Sequence, residues 1–201
     1  LDALAKAGTL FANYHTTASC SPTRSMLMTG VDNHRNGLGN MAIVTPAEHK
    51  GKPGYEGVLN NNVATVAEML RDNGYHTYHV GKWHLGITPE KRPYNRGFER
   101  TIALGDTGAD NWEQRSYLPI YDKAHWYADG KEHQLPDDFY SSKYIVDKAI
   151  EFIDSNHADG KPFFAYVGFQ AVHIPVQAPA KFTAKYHQRY QAGWTALRQQ
   201  R

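Results

Sequence analysis

Apolar positions along this chain repeat one arrangement, helical spacing followed by a short run of nearly continuous hydrophobicity. Val63, Val66, Ala67 and Leu70 share a helix face that Asn61 or Asn62 can cap and Gly74 can end, and residues 75–80 follow as a strand. The order returns where Tyr144, Ile145, Ala149, Phe152 and Ile153 recur at helical spacing within Ser141–Asn156. Residues 162–168 then form an apolar strand suited to the middle of a sheet covered on both faces. Near the start, Leu1, Leu4 and Ala5 with Gly8 behind them fit the last turns of a helix, and residues 9–14 read as a short strand. Residues 86–136 are rich in Gly, Pro, Asp and Tyr with weak periodicity, predicting long loops and a hairpin at 126–131. Loops of that length usually build sites.

Composition narrows the class. The 201 residues are 41% hydrophobic and 12% aromatic, enough bulky material for a folded core and unlike a disordered chain. Twenty-two Lys+Arg against 20 Asp+Glu leave a net charge of +2, too balanced for a dedicated nucleic-acid binder, while 11 histidines make the surface potential depend on pH. No apolar run approaches a membrane span, and the N-terminus lacks the basic-then-apolar pattern of a signal peptide, so neither nucleic acid nor membrane is an expected partner. The chain opens without Met inside one helical pattern and stops inside another, so both ends look cut. Its single cysteine, Cys20, excludes an internal disulfide framework and a Cys₂His₂ or Cys₄ site, leaving a buried small hydrophobe or a reactive group.

The surroundings of Cys20 bear on that choice. Pro22 fits the first position of a helix, Ser21 its N-cap and Gly30 its end, which places Cys20 just before a helix N-terminus, where backbone N–H groups and the dipole favour an anion. Arg24, one turn in, can reach back to a tetrahedral oxyanion such as sulfate or phosphate. A Cys-x5-Arg phosphatase loop is excluded, because only three residues separate the two. At the end of the predicted strand 75–80 stands Gly81-Lys82-Trp83-His84-Leu85-Gly86, where an extended backbone turns Lys82 and His84 to one side and Trp83 to the other. His173 lies in Ala171-Val-His173-Ile-Pro175-Val-Gln-Ala-Pro179, just after the apolar strand 162–168.

These three segments carry a resemblance. Cys20-Ser-Pro22-Thr-Arg24, with Thr29-Gly30, resembles the C-x-P-x-R-x4-T-G signature of type I, formylglycine-dependent sulfatases; 81–86 is similar to that family's G-K-W-H-L-G, and 173–179 to the H-x-P-x-x-x-P stretch of its microbial arylsulfatases. The resemblance implies an alkaline-phosphatase-like α/β sandwich with a mostly parallel central sheet flanked by helices, incomplete at both ends, of which residues 1–201 form part of the N-terminal catalytic domain. It implies a sulfuric ester hydrolase in which a maturation enzyme converts Cys20 to formylglycine (3-oxoalanine), whose hydrate attacks sulfur to form a covalent sulfo-enzyme. Arg24 would stabilise that nucleophile, and Lys82, Arg24 and a divalent metal are the candidates to neutralise the sulfuryl oxygens. His84, with a pKa near neutrality, would take the proton that expels sulfate, and His173 would bind the ester and assist the leaving alcohol.

The implied metal is Ca²⁺, with Mg²⁺ as the alternative, and the modified Cys20 would be one ligand. The family's upstream Asp-Asp pair, downstream Asp-Asn pair and second lysine have no counterpart here: Asp32-Asn33 reads as the turn after the nucleophile helix and Asp110-Asn111 as loop. Implied partners are a small-molecule or glycan sulfate ester and the maturation enzyme, and the implied location is periplasmic or secreted. Two other readings stay open: a phosphonate or phosphate monoester hydrolase with the same signature, and a catalytically incomplete anion-binding fragment. Tyr117, Tyr121, Trp126 and Tyr127 read as packing or as a sugar-stacking platform. His15, His34 and His49 lack metal-ligand spacing, and the basic residues of 181–201 read as the solvated face of a helix.

Overall fold

The computed structural model describes residues 2–199. Helices α1 (Asp2–Ala7), α2 (Cys20–Thr29) and α3 (Val66–Asp72) precede strands β1 (His76–Lys82), β2 (Arg100–Leu104), β3 (Trp126–Ala128) and β4 (Lys131–Glu132). Helix α4 (Ser141–Asn156), strand β5 (Phe163–Gly168) and the short helices α5 (Ala180–Thr183) and α6 (Trp194–Gln199) follow. The five strands form one sheet in the order β4-β3-β2-β1-β5. It is parallel across β2-β1-β5 and antiparallel at β3 and β4, so the expected mostly parallel sheet is a mixed one.

Strand β1 is buried on both faces, which places it between two cores. Tyr78 and Val80 join Ile102, Leu104, Trp126, Phe139, Ile145 and Phe152 on the α4 side. Trp83, Leu85 and Phe98 join Met28, Leu59 and Ala67 on the side of α2 and α3. Gly81 lets β1 and β5 converge at their C-terminal ends: its φ is +101°, and a Cβ there would lie 2.1 Å from the Gly168 carbonyl oxygen.

Several sequence expectations hold. α4 covers Ser141–Asn156, Gly30 ends α2 at φ +67°, and the predicted hairpin forms, with Asp129 and Gly130 turning at φ +46° and +80°. Others need correction. Residues 9–14 form no strand: Leu10 and Phe11 are each 74% exposed, and none of the described strands supplies the ladder a strand requires. The cap of α3 is Thr65, not Asn61 or Asn62, because Thr65 and Glu68 form a capping box that satisfies two backbone donors reciprocally, at 3.0 and 2.6 Å. Among the described residues β5 pairs only with β1, at the edge of the sheet rather than its middle, and Phe163 is 51% exposed. β2 was not legible, since Arg100 and Thr101 break its apolar run and its burial comes from neighbouring strands and from α4. Within 181–199 two short helices replace the single one expected, and Gln200 and Arg201 lie outside the described residues.

Candidate active site

The parallel strands deliver their C-terminal ends to one edge of the sheet, where open α/β folds place ligand-binding loops. Just beyond Lys82, Leu104 and Gly168 come His84, Thr107 and His173, and α2 points its N-terminus at the same place. Helix α2 begins at Cys20 itself. Ser19 is its N-cap with extended backbone, and the Thr23 N–H donates to the Ser19 carbonyl at 3.2 Å. Ser21 is therefore inside the first turn and buried, not the cap, and Cys20 occupies the first helical position at the positive end of the dipole.

The half-buried Cys20 Sγ lies 3.2 Å from His84 Nδ1, 3.9 Å from Thr107 Oγ1 and 3.6 Å from Met41 Sδ. Lys82 is 2% exposed and sits beside Cys20; burial above all, with Arg24 adding to it, pulls its pKa down to about 8. Arg24 Nη1 donates to the Lys82 carbonyl at 2.8 Å and to the Tyr166 hydroxyl at 2.9 Å. The expected alternation after β1 holds in outcome, with His84 at Cys20 and Trp83 buried in the core donating Nε1–H to the Lys91 carbonyl at 2.9 Å. The backbone route differs, because His84 takes a left-handed conformation at φ +57°, a strain of order 1 kcal/mol that packing around Trp83 and Leu85 holds in place.

His84 does not have the near-neutral pKa expected of it. Burial first, then Lys82, Arg24 and His173, push it down to about 3, so the ring is neutral in the ligand-free site. His173 is lowered for the same reasons, burial leading and Lys82 and Arg24 following. Its Nδ1 lies 2.6 Å from the Ile174 carbonyl, which can only accept, so Nδ1 carries the hydrogen and Nε2 is left as an acceptor. His173 therefore donates from Nε2 only as the imidazolium. Among the described residues Lys82 and Arg24 are the cations that act on both His84 and His173, while Asp106, a carboxylate on the wall of the adjoining cavity, bonds His125 at 2.9 Å.

The structure brings together all five residues singled out from sequence: Cys20, Arg24, Lys82, His84 and His173. It adds Thr107, Met41 and Tyr166. Thr107 follows β2 and would have been found had that strand been read; Met41 and Tyr166 carry no sequence signal. A cavity of about 200 Å³ beside His84 and Thr107 is walled by Ile43, Val58, Ile87, Asp106, Leu118 and Tyr121, so of the four aromatics Tyr121 faces it. Trp126 and Tyr127 are buried packing, and Tyr117 meets the His173 ring edge-on at 5.6 Å. His34 and His49 pack on Tyr55, and His15 bonds Asn13 at 2.6 Å.

Among the described residues no three His, Cys, Asp or Glu side chains converge on one point. Asp32 and Asn33 form the turn after α2, where Asp32 accepts from Arg35 N, and Asp110 in its loop is engaged by Arg115 and Gln177. A hard-oxygen cation takes about six to eight oxygens for Ca²⁺, or a strict octahedron for Mg²⁺. The donors present do not fit such a cage. Cys20 does fit its proposed modification, being half-buried at a helix N-terminus and ringed by His84, Thr107 and Lys82.

Fold and site together define an α/β protein of the alkaline-phosphatase-like class with a cluster of basic side chains at the carboxyl ends of its parallel strands. A family model described as Sulfatase matches residues 1–201, and the chain belongs to the sulfatase family. It is 41% identical over 214 residues to an uncharacterised sulfatase of Schizosaccharomyces pombe, covering 100% of this chain and 38% of that protein. To the arylsulfatase of Klebsiella aerogenes it is 36% identical over 203 residues, covering 100% of this chain and 43% of the other. The crystal structure titled Ps i-CgsB in complex with k-i-k-neocarrahexaose superposes with a TM-score of 0.67 at 25% identity, over 84% of this chain and 38% of that one. The chain thus spans about two fifths of the length of these curated relatives.

Proposed function

We propose that the protein is a sulfuric ester hydrolase of arylsulfatase type, and that residues 1–201 are part of its N-terminal catalytic domain. One observation carries this reading: the buried Lys82 and Arg24 stand with the neutral His84 and with His173 around Cys20 at a helix N-terminus, a basic pocket that attracts the anionic sulfate group of an ester. Cys20 is the site of conversion to formylglycine by a maturation enzyme, and the hydrated aldehyde supplies the nucleophilic oxygen. Lys82 and Arg24 bind the sulfuryl oxygens. His84 starts neutral and so accepts a proton at the Cys20 position, its basicity rising once a bound anion offsets Lys82 and Arg24. His173 binds the ester oxygen and, protonated, donates to the departing alcohol from Nε2.

A divalent metal belongs to the family pattern, with Ca²⁺ the candidate; its carboxylate ligands are not among residues 2–199, and no step is assigned to it. The substrate is a small-molecule or glycan sulfate ester, and the proposed location is periplasmic or secreted. No described helix is long and apolar enough to cross a membrane. The test is co-expression of the full-length protein with a formylglycine-generating enzyme, mass analysis of the Cys20 tryptic peptide, and assay on an aryl sulfate; residues 1–201 alone should show little or no turnover. Modified Cys20 with turnover is the expected result; an unmodified thiol and no turnover would withdraw the proposal. Faster hydrolysis of a matched aryl phosphonate would reassign the reaction to phosphorus esters.

A further inference from the structure

Arg24 enters the site from α2, but what fixes its guanidinium lies on the sheet. Its Nη1 donates to the Lys82 carbonyl at 2.8 Å and to the Tyr166 hydroxyl oxygen at 2.9 Å. Each terminal guanidinium nitrogen carries two hydrogens, so these acceptors occupy that corner of the plane completely and leave the Nε and Nη2 donors to face a ligand. The Lys82 carbonyl alone would anchor one hydrogen and let the plane swing; a second acceptor at the same nitrogen removes that rotation. Tyr166 is itself held. It stands opposite His79 in the β1–β5 ladder, with its ring stacked on the imidazole at 5.4 Å and 25°. His79 is in turn packed edge-on against Trp83 and Phe98 at 5.2 and 5.3 Å. Both His79 ring nitrogens are buried without a partner, and burial together with Arg24 holds its pKa at about 3, so the ring is a neutral plate behind Tyr166.

We infer that Tyr166 is a positioning residue: its hydroxyl locks the Arg24 plane in the orientation that turns the remaining N–H donors toward a sulfuryl oxygen at Cys20. The inference rests on the sulfatase reading, because it assigns a partner to a cation which that reading places on the substrate. Tyr166 is 142 residues from Arg24 in sequence, and the edge strand β5 supplies a group for which the Cys20 motif gives no hint.

The test is a double-mutant cycle in the full-length, matured enzyme acting on an aryl sulfate. Tyr166→Phe keeps the ring and its stack on His79 and removes only the oxygen. It should lower kcat about ten- to a hundredfold, the usual effect of losing a hydrogen bond to a charged group, with KM changing less than about threefold. In an Arg24→Lys background, where the planar fork is gone, the same substitution should change kcat by less than about twofold. A loss that is equal in both backgrounds, or no loss in the parent enzyme, overturns the inference, since a packing role for Tyr166 would not depend on Arg24. Calorimetric binding of inorganic sulfate to the four proteins closes the same cycle without relying on turnover. If Arg24→Lys alone behaves like the parent, the sulfatase reading of Arg24 fails, and the role of Tyr166 falls with it.

Discussion

At its N-terminal end β1 carries His76, whose Nδ1 lies 2.8 Å from Glu99 and whose Nε2 lies 2.6 Å from Asp159. Just past its C-terminal end the same strand presents His84 to Lys82, Arg24 and His173. The hydrogen bonds to Asp159 and Glu99 raise the pKa of His76, whereas burial and three basic neighbours push His84 down to about 3. One end is a closed electrostatic unit that ties β1 to the start of β2 and to the turn after α4. The other gathers Lys82 and Arg24 around His84. Midway between them, His79 is kept neutral chiefly by burial, with Arg24 adding to it. Charge placement, not residue type, separates a structural histidine from one available to a substrate.

The most severe way to break this comparison is to remove the buried cation. Lys82→Ala should lower kcat/KM on a sulfate ester about 10²- to 10⁴-fold while the protein still folds, measured by steady-state kinetics beside a thermal melt. Making the site resemble the His76 end is the next test. Thr107→Asp places a carboxylate at a position now 3.9 Å from Cys20 Sγ; it should cost about tenfold to a hundredfold in kcat/KM and raise the His84 pKa, read by NMR titration. A third test uses pH. The Lys82 ammonium attracts the anion and is lost as pH rises through about 8, so kcat/KM should fall toward tenfold per pH unit above that value, and Lys82→Arg should abolish that limb.

The smallest effect is expected at the closed end. His76 binds its proton more tightly folded than unfolded, so its clamp adds stability that is fully present below its ordinary pKa of 6.5 and is lost as pH climbs through the raised folded value. His76→Gln should therefore lower Tm by about 2 °C near pH 5.5 and by almost nothing near pH 9, as a scanning calorimeter would show. An equal drop at both pH values would mean that the rings and carboxylates merely pack.

Local chemistry was legible wherever the chain satisfies its own groups. α4 announces itself through the spacing of Tyr144, Ile145, Ala149 and Phe152, and the hairpin through Asp129-Gly130, because both patterns act within a few residues. The α3 cap was misplaced although Thr65 and Glu68 stood at capping-box spacing, since Asn61 and Asn62 offered a competing signal that only the fold resolves. Residues 9–14 have strand-like composition but no ladder partner among the described residues, and β2 has a ladder on both sides but little apolar character at its start. Strand pairing is a property of neighbours, so a single segment cannot report it.

The five residues at the site follow the same division. Cys20, Arg24, Lys82, His84 and His173 could be picked out from sequence because each lies in a short motif whose spacing carries meaning along the backbone. Their convergence, the lowered pKa values of Lys82 and His84, and the hold of Tyr166 on Arg24 belong to the tertiary structure. Sequence by itself determined which groups are present and how neighbouring ones are spaced. Only the folded sheet decided their protonation, because burial and charges brought together from distant parts of the chain set a pKa, and residues 142 positions apart meet only when β1 and β5 pair.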